Sequence, residues 1–214
     1  MSGSFDEADG KVVVENLITV IHENRGYLSE IDGAIGDGDH GINMDKGFAM
    51  AGEAMSGKDI GMNEALKTLG KTLLMEIGGS MGPLYGTFFK NMAKASAGAS
   101  VVDGQVVLAM LKAGYDGIKN LGEAKVGDKT MIDTLEPAVA ALEASVSTGA
   151  PLPEALDVMT AAAEAGWKST KDLVAKIGRA SRLGERSRGT LDAGATSCFL
   201  ILRSLASSFK ELAV

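Results

Sequence analysis

Asp32, Asp37 and Asp39 fall within eight residues, in Asp32-Gly-Ala-Ile-Gly-Asp37-Gly-Asp39-His40-Gly41-Ile42-Asn43. Carboxylates drawn together without a cation repel one another. A hard divalent cation seeks several oxygen ligands, at about 2.0–2.1 Å for Mg2+. Interspersed glycines let a short loop turn all three acids inward. The pattern predicts a cation site; the plainer alternative is a solvated acidic turn in which Asp39 caps the next helix. The spacing is not that of a calcium-binding EF-hand loop, and a chain with two histidines cannot build a His-rich zinc site. His40 and Asn43 begin the following helix, where they would meet a ligand; alternatively His40 pairs with one of the aspartates. His22, mid-helix, reads as structural.

A second segment, Gly78-Gly79-Ser80-Met81-Gly82-Pro83-Leu84-Tyr85-Gly86-Thr87, is a glycine-rich turn opening a helix. Free N–H groups at such a start bind phosphate, and Ser80 adds a hydroxyl; a tight helix–helix turn is the competing reading. Gly70-Lys71-Thr72 resembles the tail of a phosphate-binding P-loop, but Ala65 stands where that motif needs glycine, and the segment lies inside a helical stripe. A third segment, Gly122-Glu-Ala-Lys125-Val-Gly127-Asp128-Lys129-Thr130-Met131-Ile-Asp133, could bring Lys, Thr, backbone amides and a soft Met131 surface to a ligand; a loop that only caps helices is the equal alternative. A fourth, residues 177–194, concentrates Arg179, Arg182, Arg186 and Arg188 among Gly178, Gly184, Gly189 and Gly194. Arginine suits phosphate by its bidentate geometry, and the glycines would let the segment move as a lid.

These segments need a scaffold, and apolar spacing of three and four residues supplies it. Stripes begin at Val13, Met44, Leu66, Leu84, Val107, Leu135, Leu156 and Cys198. They predict eight amphipathic helices; the seventh stripe extends through Thr170 and Val174, and Pro137 should kink the sixth helix or shift its start. Val12–Val14 and Ser100–Val107 are the only weak strand signals. Short connections favour antiparallel neighbours, so the expected fold is an all-α, single-domain, eight-helix up-and-down barrel or bundle. The polar, glycine-studded connections follow helices one, three, five and seven. Alternate connections of such a bundle lie at one end, so these four should share a rim.

Composition narrows the function. Lys plus Arg is 21 against 28 Asp plus Glu, a net charge of −7, which speaks against nucleic-acid and anionic-membrane binding. One cysteine excludes an internal disulfide. The N-terminal residues lack a leader pattern, and no apolar run approaches the ~20 residues of a membrane span. A cytoplasmic protein is expected. A metal loop, a phosphate loop and an arginine-rich lid on one rim together imply a Mg2+–nucleotide site for phosphoryl transfer.

The four segments, in order and spacing over roughly residues 10–212 of a domain spanning 1–214, resemble the nucleotide-binding L subunit of dihydroxyacetone kinases. The resemblance implies an eight-helix antiparallel barrel with ADP or ATP at one rim. It implies two Mg2+ ions held by Asp32, Asp37 and Asp39 against the nucleotide phosphates. Nucleotide contacts are implied at His40, Gly41, Ile42 and Asn43, at Ser80 and Met81, at Gly122 and Met131, at Arg179, and at Asp192, Ala193 and Gly194. Ala193 departs from the family's frequent proline. The ketose sits on a separate K-type subunit, so this chain would present the γ-phosphate and carry no acid/base or nucleophile itself. An M-type phosphohistidine carrier or free ATP would supply phosphate, and dihydroxyacetone, erythrulose or another short ketose would accept it. A homodimer is compatible. Two other readings stand beside this one: a nucleotide-state sensor that docks a regulator without turnover, and, more weakly, an aspartyl phosphatase, whose nucleophile usually follows a strand.

Overall fold

The apolar stripes wind into nine α-helices among the described residues, 3–213 of a computed structural model. Met1, Ser2 and Val214, the outermost residues of the expected domain, lie outside the described residues. The helices are α1 (Lys11–Glu23), α2 (Arg25–Ile35), α3 (His40–Met55), α4 (Met62–Glu76), α5 (Met81–Ala95), α6 (Gly104–Lys119), α7 (Ile132–Ser147), α8 (Leu152–Ser169) and α9 (Ala193–Leu212). Strand β1 (Phe5–Asp6) pairs antiparallel with β2 (Val101–Val102), so the Ser100–Val107 signal holds only a two-residue bridge, and Val12–Val14 is helical.

The all-α expectation holds, but the helix count of eight is corrected to nine. The first stripe continues through Leu28, Ile31 and Ile35, all buried, yet Asn24 interrupts it. The Asn24 backbone leaves the helical region (φ −98°, ψ 7°), and its side-chain amide donates to the Val20 carbonyl at 2.8 Å. Such local side-chain bonds compete with the helical ladder. Both α1 and α2 pack on α3 and α9, so the pair acts as one kinked stave. The other helices pack on their sequence neighbours, and α9 closes the ring on α1. Pro137 lies inside α7 rather than at its start. The seventh stripe also ends early: α8 stops at Ser169, and a 3-10 turn (Thr170–Asp172) leads away.

Apolar faces meet inside the ring. Phe88 and Phe89 pack edge-on at 5.2 Å between ring centroids, and Phe48 meets Phe89 at 5.9 Å, a favoured aromatic geometry. Cys198 is buried there, as expected of a core thiol. Gly70 lets α4 and α5 touch backbone to backbone: a Cβ there would sit 2.7 Å from the Lys90 nitrogen. The glycine of Gly70-Lys71-Thr72 is thus a packing residue. Among the described residues, no helix is long and apolar enough to cross a membrane.

Alternating helix direction sends the starts of α3, α5, α7 and α9 to one rim. The β1–β2 pair and the connections near residues 56–61, 96–103 and 148–151 lie at the other.

Candidate functional site at the rim

The acidic loop is mostly helix. Asp32 occupies the last turn of α2, residues 36–39 make the turn with Gly38 at φ +78°, and His40 opens α3. One carboxylate oxygen from each of Asp32, Asp37 and Asp39 lies within 4.8 Å of the others. Gly41 explains how α3 reaches this position. A Cβ there would stand 2.0 Å from the Arg25 carbonyl oxygen and 2.7 Å from Ser29 Oγ. Only a glycine lets α3 press onto α2 and bring the His40 N–H to Asp32 Oδ2, at 3.3 Å. The Arg179 guanidinium is ion-paired with Asp37. Three converging hard oxygen donors beside one guanidinium suit a divalent cation, which would relieve the remaining repulsion.

His40 is buried, and its Nε2 meets Ser197 Oγ at 2.8 Å. Tyr85 OH lies 2.6 Å from the same hydroxyl and donates to the Gly194 carbonyl at 3.1 Å. This chain of polar groups joins the N-terminal ends of α3, α5 and α9 through otherwise apolar packing. Burial lowers the His40 pKa to about 4 against the opposing pull of Asp32, so the imidazole is neutral near pH 7. Burial also raises the Tyr85 pKa. Neither Ser197 nor Tyr85 was singled out by sequence; the available signal is a serine on the apolar face of α9, four residues after Ala193.

At the start of α5 the N–H groups have no side-chain cap. Ser80 is exposed, Met81 half-buried, and a Cβ at Gly78 or Gly79 would meet nothing within 4 Å. Gly79 takes φ +69°. Free N–H groups at an open helix start form an anion cradle.

The 122–131 segment is organised from within. Asp133 accepts from the N–H groups of Gly127 at 2.6 Å and Thr130 at 2.7 Å. Lys129 does not face a ligand. It is buried, with 1% of its surface exposed, at φ +61°, and its ammonium donates to the carbonyls of Thr170 (2.6 Å), Leu173 (3.3 Å) and Thr190. Burial lowers its pKa, while Asp192 pulls it back up. The inward role of Lys129 leaves no mark in the sequence, because a polar loop has no periodicity to reveal it. Met131 is buried against Gly194: a Cβ on that glycine would stand 3.8 Å from Met131 Cβ.

Asp192 caps α9, its Oδ2 accepting from Ala195 N–H at 2.7 Å. Desolvation raises its pKa to about 6, against the Ala195 N–H and Lys129, with Asp133 and Asp32 adding to the rise. Ala193 is the first residue of α9 and buried. The flap is a 3-10 segment, Arg179–Ser187, broken at Gly184 (φ +55°, ψ −130°). Arg182 and Arg186 are exposed, whereas Arg188 pairs with Glu185 at 3.0 Å and donates to the Asp172 carbonyl.

The structure therefore gathers Asp32, Asp37, Asp39, His40, Gly41, Met131, Arg179, Asp192, Ala193 and Gly194 through named contacts or chain adjacency. Ile42 is exposed and Asn43 half-buried on the first turn of α3. Ser80 and Met81 reach the group through Tyr85 on the same helix. Gly122 is exposed and has no contact that ties it to the others.

Known proteins share this sequence and fold. The DAK2 domain family matches residues 34–207. The chain is 41% identical over 186 residues to the ADP-binding subunit DhaL of PEP-dependent dihydroxyacetone kinase 1 from Listeria innocua, covering 86% of this chain and 88% of that protein. It is 42% identical over 188 residues to the corresponding Escherichia coli subunit, covering 86% and 89%. The crystal structure of the C. freundii dihydroxyacetone kinase in complex with AMP-PNP and Mg2+ superposes with a TM-score of 0.69 at 26% identity, covering 92% of this chain and 33% of that longer one. The chain belongs to the DAK2 domain family.

Proposed function

We propose that this chain is the nucleotide-binding subunit of a kinase acting on dihydroxyacetone or a related short ketose, such as erythrulose. Residues 1–214 form one domain of this type. The convergence of Asp32, Asp37 and Asp39 within 4.8 Å, with Arg179 on Asp37, carries the reading. The three carboxylates would hold two Mg2+ ions, which neutralise phosphate oxygens during transfer. Open N–H groups at the start of α5, with Ser80 and Met81, cradle phosphate. His40, Gly41, Ile42 and Asn43 line one side of the nucleotide and Asp192, Ala193 and Gly194 another. Gly122 and Met131 flank the base, and Arg179 covers the phosphates.

No nucleophile or general base is assigned to this chain. Its residues bind, orient and exclude water, while a separate K-type subunit presents the ketose hydroxyl. The likeness to ADP-binding subunits of PEP-dependent kinases supports retained ADP that an M-type phosphohistidine carrier recharges in the cytoplasm. The test is native mass spectrometry followed by reconstitution. Retained ADP with two Mg2+, and triose phosphate formed only when the K-type subunit, dihydroxyacetone and carrier are added, is the expected result. Turnover that is indifferent to Asp37→Asn with Asp39→Asn removes the metal assignment. An empty protein that turns over with free ATP replaces the carrier with ATP as donor.

A further inference from the structure

Resting on the reading of a nucleotide under an arginine flap, we propose that Lys129 is the positioning residue of that flap. It clamps both ends of the flap to the segment expected to flank the nucleobase. Its ammonium has three hydrogens, and three carbonyls receive them. Thr170 and Leu173 lie where the chain leaves α8, and Thr190 where it returns to α9. The side chain is almost wholly buried, so solvent does not compete for these bonds.

Further ties stack outward from this clamp. Thr170 Oγ1 accepts from Asp192 N–H at 3.1 Å, Gly189 N–H donates to the Lys171 carbonyl at 2.7 Å, and Ser187 Oγ accepts from Ala175 N–H at 2.9 Å. The base of the flap is thereby a closed neck, and Lys129 is its innermost staple. Beyond the neck, the tip runs from Lys176 to Arg186 and carries Arg179, with positive-φ glycines at Gly178 and Gly184. Lys129 also follows Asp128, whose carbonyl accepts from Lys176 N–H at 3.2 Å, and precedes Met131 by two residues. A shift of the Met131 segment is transmitted to the neck, and the fall of Arg179 over the acids is set from the nucleobase side. The glycines of residues 177–194 thus give motion to the tip alone.

Hydrogen exchange on the ligand-free full chain tests this without a variant. The hydrogen-bonded amides of Leu173, Ala175, Arg188, Gly189 and Asp192 should exchange slowly, together with those of Asp128 and Thr130, while 177–186 exchange faster. Neck amides exchanging as fast as the tip would overturn the clamp. Lys129→Met should then speed exchange across 171–190 by about tenfold or more, the scale of lost charge-assisted hydrogen bonds, leaving α1–α6 unchanged. Leu142→Ala, in the α7 core, serves as a control for general destabilisation. Mg-ADP should leave Lys129→Met about tenfold faster, with association little altered, while Leu142→Ala retains the wild-type dissociation rate. Acceleration spread evenly over the barrel, or equal dissociation from both variants, would reduce Lys129 to a core residue. If wild-type protein binds no ADP, the nucleotide reading fails, and the exchange pattern still reports on the clamp.

Discussion

The two rims of the barrel are built from the same kinds of helix ends and solve their polar groups differently. At the far rim several polar groups find partners within the protein. Glu7 Oε1 accepts from Asn63 N–H at 2.5 Å, Asn63 Nδ2 donates to the Ala93 carbonyl and to Ser96 Oγ, and Lys11 Nζ donates to the Lys58 carbonyl at 3.0 Å. At the site rim three carboxylates face one another with a single guanidinium among them. The site rim carries three mutually repelling carboxylates, and a cation with a phosphate would relieve them.

The contrast breaks most sharply if the acids are neutralised. Asp37→Asn with Asp39→Asn should weaken Mg-ADP binding by at least about a hundredfold in calorimetry, while the ligand-free protein melts no lower. A normal affinity would mean that the rim needs no cation.

Gly41→Ala tests whether that rim depends on close packing. Its Cβ would meet backbone at 2.0 Å, so a stability loss of about 1–3 kcal/mol is expected from overpacking, together with weakened metal binding as Asp32 moves from its companions. Unchanged melting would show that α2 yields easily.

Proton linkage sharpens the comparison further. The Asp192 pKa is raised from 3.8 to about 6, so the stability it contributes is present below pH 3.8 and lost as pH rises through about 6. The His40 pKa is lowered from 6.5 to about 4, so its contribution is present above pH 6.5 and lost as pH falls through about 4. The two oppose each other between pH 4 and 6.5. Asn caps helices as well as Asp, so Asp192→Asn should gain about 1–2 kcal/mol at pH 8. Its melting curve in Mg-free buffer should then fall on acidification more steeply than the wild type. Parallel curves would contradict the opposition.

The smallest effect on function belongs to the far rim. Asn63→Ala should cost about 1 kcal/mol or somewhat more in stability through its lost hydrogen bonds, with Mg-ADP affinity within about twofold of wild type, as for distant independent sites. A large loss of affinity would couple the rims.

Much of this was legible in the residues. Periodic apolar spacing reads directly as helix because a helix has one buried face, and alternation of direction places every second connection at one end. The acids, the glycine-rich start of α5 and the arginine cluster were visible because charge and glycine content are local properties. Asn24 shows the limit: asparagine tolerates helix or break, and the continuation of the stripe through Leu28 and Ile35 concealed the interruption between α1 and α2. Gly41 reads as a ligand-side residue, and its closeness to Arg25 shows that it is also a packing residue.

Local composition and period, by themselves, determined the all-α class, the shared rim and the chemistry it favours, since these follow from which atoms each residue carries and how a helix repeats. Tertiary structure alone decided that Ser197 and Tyr85 hold His40, that Lys129 turns inward to the flap's neck, and that Arg179 rests on Asp37. Those pairings join residues far apart in the chain, and their partners are backbone carbonyls and hydroxyls that every sequence possesses. Only closure of the ring selects which of them meet.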